Sequence, residues 1–360
     1  MKKILHKLLP RKIPCSALDI GVGETKFVSL APSGEKPVIM FTARYPTPPG
    51  FWTEIISRKL TGGNLAEMIV QHDLGGTEII STIGNDSVVT RHISLLKAAP
   101  KELAKAVINE AQKVMPYDTD ELVVRHIMLE ERAAGNQNKV EILFAALPLS
   151  LSYQYHALLK HCGLALVALD LPAIALWRLF KNELAQSEAI TAIMDIGETR
   201  TCLVIAKGQQ LQYTRTMPVG GALLTGSMAD GFGMSIEQAR AMKEEQGIIL
   251  DKGSLAGAEA TALQIDLSLR DGLGQMIKEI RRSLEFYAAR DYAAPVRQVF
   301  LAGGTSKLKG FEQFIGEALD LPAKVVQPSS ILFNASGELG YDPAMAVAYG
   351  LALREMPPDV

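Results

Sequence analysis

A short motif occurs twice in this chain, about half of its 360 residues apart. Residues 17–34 read ALDIGVGETKFVSLAPSG, and residues 193–208 read IMDIGETRTCLVIAKG. Each copy is an apolar strand ending in Asp-Ile-Gly, a short polar turn, a second apolar strand and a Gly-containing turn. A supersecondary unit repeated at half-chain spacing restricts the fold to two related α/β halves. A chain of this length can give each half its own core.

The pattern between and after the copies divides the chain further. Residues 101–115 (KELAKAVINEAQKVM) place Leu103, Val107, Ala111 and Val114 at helical spacing, and Pro116 ends that helix. LVVRHIMLEE and KVEILFAALPL read as a hairpin around AAGNQN, and a second helix over residues 151–161 stops at Gly163. Helix, hairpin and helix make an α+β insertion over 97–163. The first half is then 14–96 plus 164–188, and the second is 189–341 with extra helices over about 219–294. A closing helix in 342–354 is expected to return to the first half. In the second half, Gly220-Gly221 opens one helix, Ser235 and Gln238 form a capping pair for the next, and QMIKEIRRSLEFYAAR (275–290) is a long amphipathic helix.

Phosphates need close backbone approach, which glycine permits, and inward N–H donors. They also need a carboxylate to hold the water shell of Mg²⁺. Asp19 with Gly21 and Gly23, and Asp195 with Gly197, supply these from two sides of a cleft, and Thr25, Lys26 and Thr199 add donors. One Asp-Ile-Gly turn alone is an ordinary hairpin turn; two matching copies point to phosphate binding. Lys26 reads equally as a phosphate ligand or a solvated strand residue. After the strand VRQVF comes Leu301-Ala302-Gly303-Gly304-Thr305, a diglycine at a strand end suited to close approach of an adenosine. Neither GxxxxGK[ST] nor GxGxxG stands in a strand–helix setting, which removes weight from those nucleotide folds.

Composition narrows the partners. A formal net charge of −2 gives no footprint for nucleic acid. The three cysteines are scattered and the six histidines form no ligand cluster, so a reducing cytoplasm fits and a zinc site does not. The most apolar stretch, 164–180, is broken by Asp170, Pro172 and Arg178 and reads as a strand and a buried helix rather than a membrane span. At the N-terminus, Ile4, Leu5, Leu8 and Leu9 share a helical face among basic residues, which fits a frayed tail or a weak membrane contact.

Two phosphate turns followed by an adenosine diglycine, in that order, resemble the actin, sugar kinase and heat-shock chaperone superfamily. Within it the chain is similar to the type IV pilus assembly family PilM, and more distantly to the division protein family FtsA. The similarity is carried by LDIG with Lys26, VVTRHISLLKAAPKEL leading into INEAQKVMPYD, CGLALVALDLPAIALWR, MPVGGALLTGSM, LAGGTSKLKGF and GLALR. The insertion stands where PilM and FtsA replace a subdomain of actin with their own. The resemblance implies an actin-like ATPase fold, a duplicated ribonuclease H-like α/β architecture in two domains with an inserted α+β subdomain. It implies ATP and Mg²⁺ as ligands, with Asp19 and Asp195 holding the ion through water. Gly220, Gly221, Gly303, Gly304 and Thr305 would stand around the nucleotide, with Lys243 near the ribose.

Where the family commonly has Glu beside that Lys, this chain has Arg240. Glu24 and Glu198, one in each turn, would repel phosphates unless turned away. Asp170 stands where actin relatives place a water-organising residue, and it reads as well as a cap for the helix from Pro172. The implied partner is the N-terminal cytoplasmic tail of a PilN-like inner-membrane protein, with self-association left open and turnover of ATP slow at most. The implied place is the cytoplasm, peripheral at the inner membrane through that partner. An FtsA-like filament-forming division protein and a type II secretion scaffold are the alternatives. A small-molecule kinase is the third, and no segment supplies its catalytic Asp over a polar pocket.

Overall fold

A computed structural model of the chain describes residues 16–33, 36–48, 50–57, 63–83, 87–134, 137–251, 253–290, 294–331 and 340–354. The basic N-terminal segment and the last six residues lie outside these.

The first half is a five-stranded sheet of β1 (Ser16–Ile20), β2 (Glu24–Ala31), β3 (Val38–Pro46), β4 (Glu78–Thr82) and, after the insertion, β8 (Ala165–Asp170), in the order β3-β2-β1-β4-β8. The second half repeats it with β9 (Ile190–Ile196), β10 (Thr201–Lys207), β11 (Gln210–Met217), β12 (Gln298–Ala302) and β13 (Ala323–Val325), in the order β11-β10-β9-β12-β13. In each sheet the first three strands form an antiparallel meander, the fourth joins the first in parallel, and the fifth joins the fourth in parallel. The repeated strand–turn–strand is therefore the start of a duplicated sheet. β1 and β9 are buried along nearly their whole length because each lies mid-sheet with both faces covered, and each is mostly apolar up to its closing Asp-Ile.

Two helices join the halves. α5 (Pro172–Leu179) and the closing α11 (Ala346–Ala352) share one core with Ala17, Val28 and Ile80 of the first sheet and Ile193, Val204 and Phe300 of the second. A Cβ at Gly350 would fall on the carbonyl oxygen of Ala175, so glycine sets how closely these helices cross.

The insertion differs in extent from 97–163. Its sheet, β5-β7-β6, starts earlier at β5 (Val89–Leu96) and continues through β6 (Leu122–Ala134) and β7 (Gln137–Pro148). Helix α3 (Pro100–Val114) covers one face with Val107 and Ala111 on Val140, Ile142, Phe144 and Ala146. Helix α4 (Leu149–His161) instead packs Leu151, Tyr155, Leu158 and Leu159 into the core of the first sheet. Removing 97–163 would thus strip the first half of a helix and leave β5 unpaired.

The helices of the second half are α7 (Gly221–Phe232), α8 (Ile236–Gln246), α9 (Ala260–Ala288) and α10 (Phe311–Leu319). The Ser235–Gln238 capping box forms, with Gln238 N–H donating to Ser235 Oγ at 3.3 Å and Ser235 N–H to Gln238 Oε1 at 3.0 Å. α9 starts fifteen residues before the amphipathic stretch read from sequence. Its Gly272 does not break it: a Cβ there would stand 2.8 Å from the carbonyl oxygen of Leu223, so the glycine lets α9 cross α7 closely.

Candidate functional site

The two Asp-Ile-Gly turns fold alike. Gly21 N–H donates to the Glu24 carbonyl at 2.9 Å, and Gly197 N–H to the Arg200 carbonyl at 2.9 Å. Strand register makes Asp19 oppose Lys26 and Asp195 oppose Cys202. The turns face each other across a cleft of about 1510 Å³ between the halves. A Cβ at Gly23 would lie 3.3 Å from Cβ of Glu198, so the turns all but touch. Asp19, Gly21, Gly23 and Lys26 line the cleft from one side, and Asp195, Gly197, Thr199, Lys243, Gly304 and Thr305 from the other.

Lys26 Nζ stands 4.0 Å from Asp19 Oδ2, and the Thr82 hydroxyl donates to Asp19 Oδ1 at 3.2 Å. Burial pushes the Asp19 carboxyl above its usual range, against the pull of Lys26 and Thr82. Burial pushes Asp195 up to about 6; Lys26 opposes this and the charge of Asp19 adds to it. Two desolvated carboxylates thus share one ammonium, which leaves a deficit of positive charge. A hard divalent cation carried with phosphates fits that deficit, since Mg²⁺ takes one or two protein carboxylates and keeps its waters. Among the described residues no group of three or more His, Cys, Asp or Glu could hold a metal ion by itself.

Several of the glycines read from sequence brace the second turn rather than face the cleft. Gly221 N–H donates to the Gly197 carbonyl at 2.9 Å and Ala222 N–H to the Glu198 carbonyl at 2.7 Å, so the start of α7 pins that turn. A Cβ at Gly220 would stand 2.5 Å from the Gly197 oxygen. The Thr305 hydroxyl donates to the same oxygen at 3.3 Å. The diglycine divides its work. Gly303, with φ +86°, lies on the backbone of Ile196, whereas a Cβ on Gly304 would meet only Ala344, at 3.9 Å. A single 3-10 turn (Gly304–Lys307) follows, and the α-helix begins only at Phe311. Lys243 Nζ donates to Thr225 Oγ1 at 2.7 Å and to the Gly221 carbonyl at 3.1 Å, and burial lowers its pKa.

Two expected residues are placed elsewhere. Thr25 is buried with its hydroxyl 3.0 Å from that of Thr47, so it is not a donor to the cleft. Asp170 is not poised for water: Oδ2 pairs with Arg178 at 2.8 Å and with Arg354 at 3.7 Å. Its Oδ1 accepts from Leu171 N–H at 2.8 Å, and the N-cap position of α5 is Leu171, so Asp170 is not the cap either. It ties β8 to α5 and to the end of the closing helix.

The acids of the turns are neutralised. Glu24 accepts from Arg44 at 2.7 Å and Glu198 from Arg240 at 2.8 Å. Arg240, which departs from the family pattern, is therefore the partner of the extra acid. Sequence reading missed this pair, and it missed Thr82; the only signal for Thr82 was a polar Ser81-Thr82 closing an apolar strand.

Residues 17–356 match the family model described as type IV pilus assembly protein PilM. The fold superposes on a solved PilM–PilN type IV pilus biogenesis complex with a TM-score of 0.78 at 25% identity, covering 96% of this chain and 99% of that one. The ethanolamine utilization protein EutJ from Carboxydothermus hydrogenoformans matches at TM-score 0.53 and 12% identity, over 97% of this chain and 93% of its own. MreB5 of Spiroplasma citri bound to ADP matches at TM-score 0.53 and 11% identity, over 96% and 97%. The fold is that of the actin-like ATPases. Among the described residues no helix is long and apolar enough to cross a membrane.

Proposed function

The chain belongs to the PilM family of type IV pilus assembly proteins, and from that premise we propose that it binds Mg·ATP between its halves and holds the N-terminal cytoplasmic tail of a PilN-like inner-membrane protein. The observation that carries the nucleotide half is the pair of equivalent turns whose cleft-facing aspartates share Lys26. Asp19 and Asp195 would hold the hydrated ion, Gly304 leaves room for the adenosine, and Gly220, Gly221 and Thr305 keep the second turn in shape. Bound Mg²⁺ supplies the positive charge that neutralises carboxylates and phosphates together.

Hydrolysis needs a residue that positions or deprotonates the attacking water. Asp170, the residue sequence reading offered, has both oxygens engaged in the fold. That supports a nucleotide acting mainly as a conformational ligand that draws the halves together, with slow turnover at most.

The tail half of the proposal rests on the likeness to a PilM–PilN complex and on apolar surface around the junction of insertion and first half. Val114 and Tyr117 are exposed at the exit of α3, and Tyr153 is exposed on α4. A peptide held there would place the protein on the cytoplasmic side of the inner membrane through its partner. The matched family serves pilus assembly, which favours this reading over the division-protein and secretion-scaffold alternatives. A synthetic tail of the PilN-like protein should bind the full chain with micromolar or better affinity, about −8 kcal/mol. Tyr117→Glu together with Tyr153→Glu should weaken it at least about tenfold. Unchanged binding by that variant would place the tail elsewhere.

A further inference from the structure

The cleft is larger than one nucleotide requires. At about 1510 Å³ it exceeds the roughly 300–1,000 Å³ of sites built for single small ligands. The part bounded by β5, β11 and the last turns of α9 carries a chemistry that the phosphate turns do not. Arg91, Arg215, Arg282 and Phe286 line it. Phe286 is 58% exposed, and the Arg215 guanidinium lies 6.0 Å from the centre of its ring. Arg282 and Phe286 are four residues apart on α9 and so share a face. Among the described residues no carboxylate lies within ion-pair distance of Arg91 or Arg215, and Arg282, itself exposed, has only a half-buried Glu279 at 3.9 Å. Arg290 is committed differently: it pairs with Glu141 at 3.0 Å and covers Tyr213, which fixes the wall behind the patch.

We propose that this basic, aromatic part of the cleft binds an extended acidic peptide segment of a partner protein, with an aromatic or large apolar residue set between its acids. The guanidiniums come from three elements, β5, β11 and α9. Arg282 and Phe286 lie roughly 6 Å apart along the helix axis. An extended peptide presents alternate side chains on one face every 6–7 Å or so. An apolar residue on Phe286 with acids at the flanking same-face positions therefore matches the spacing, and each acid meets a guanidinium suited to bidentate pairing. A continuous phosphate backbone fits less well: Glu244 and Glu245 line the same cleft and repel an unbroken run of phosphates, whereas a peptide confines its acids to the positions that face the arginines.

The test is fluorescence anisotropy on the full chain, with rhodamine-labelled probes and with and without Mg·ATP. The probes are a short synthetic peptide with phenylalanine between glutamates, the same peptide with lysines for glutamates, and single-stranded oligodeoxythymidine. The glutamate peptide should bind in both conditions and the lysine peptide should not. Arg91→Glu with Arg215→Glu should weaken binding at least about tenfold, and Phe286→Ala should weaken it with the melting temperature unchanged. Equal binding of both peptides, or no effect of the charge reversals, overturns the assignment. Displacement of the peptide by ATP assigns the patch to the nucleotide site, and tighter binding of oligodeoxythymidine lost in the same variants assigns it to nucleic acid; both overturn it. Because the probe needs neither nucleotide nor PilN tail, the result is independent of the function proposed above.

Discussion

Replacing Asp195 with Asn should make the nucleotide-free protein more stable at neutral pH while weakening its hold on Mg·ATP. Burial raises this carboxyl from its ordinary 3.8 to about 6, with the charge of Asp19 adding to the shift. A group whose pKa is raised by folding costs nothing below its unfolded value, begins to cost as pH rises, and costs fully above its folded value. At about 1.4 kcal/mol per unit, the charged Asp195 would cost the fold about 3 kcal/mol above pH 6. The carboxylate is half-buried and opens on the water of the cleft, and the loss of its attraction to Lys26 offsets part of the gain. The net gain for Asn should be about 1–2 kcal/mol at pH near 8 and close to zero near pH 4. Urea unfolding of both proteins at the two pH values measures it. A variant less stable than wild type at the higher pH, or a difference that does not change with pH, would refute the reasoning that this aspartate is held charged against the fold for its ligand.

Gly304→Val should keep stability within about 0.5 kcal/mol, because the new side chain points into open space, yet reduce ATP affinity at least about tenfold. Gly303→Val should instead destabilise by about 2–5 kcal/mol, since it combines a positive φ with a clash on the Ile196 backbone; thermal unfolding and calorimetry on the pair separate the two roles. His92 on β5 accepts from Thr214 N–H at 3.0 Å, and burial lowers its pKa to about 4. Its contribution is complete above the ordinary 6.5 and drains away, by up to about 3 kcal/mol, as pH falls through about 4. His92→Gln should flatten that part of the urea-midpoint profile, and an unchanged acid limb would show that the contact between insertion and second half does not titrate.

The duplicated architecture was legible because its signal is local: two apolar strands joined by Asp-Ile-Gly are written out twice. Boundaries were less legible where tertiary packing decides. The apolar face of 149–161 marks a helix, but nothing in its spacing says that it packs on the first sheet rather than on the hairpin before it. Gly272 resembles a helix breaker until α7 is placed against it. In the site, the aspartates and glycines stood out by repetition. The pairs Glu24–Arg44 and Glu198–Arg240 did not, because each joins residues that only the fold brings together. Asp170 misled for the same reason, since its partners Arg178 and Arg354 come from a helix face and a chain end.

Isothermal titration of ATP onto the full chain, with Mg²⁺ and with chelator, in wild type and in Asp19→Ala, tests the central claim most directly. Wild type should bind one nucleotide, more tightly with the ion, and Asp19→Ala should lose most of that ion-dependent gain while still binding metal-free ATP. Equal affinities with and without Mg²⁺, or equal weakening of both forms by Asp19→Ala, would contradict it.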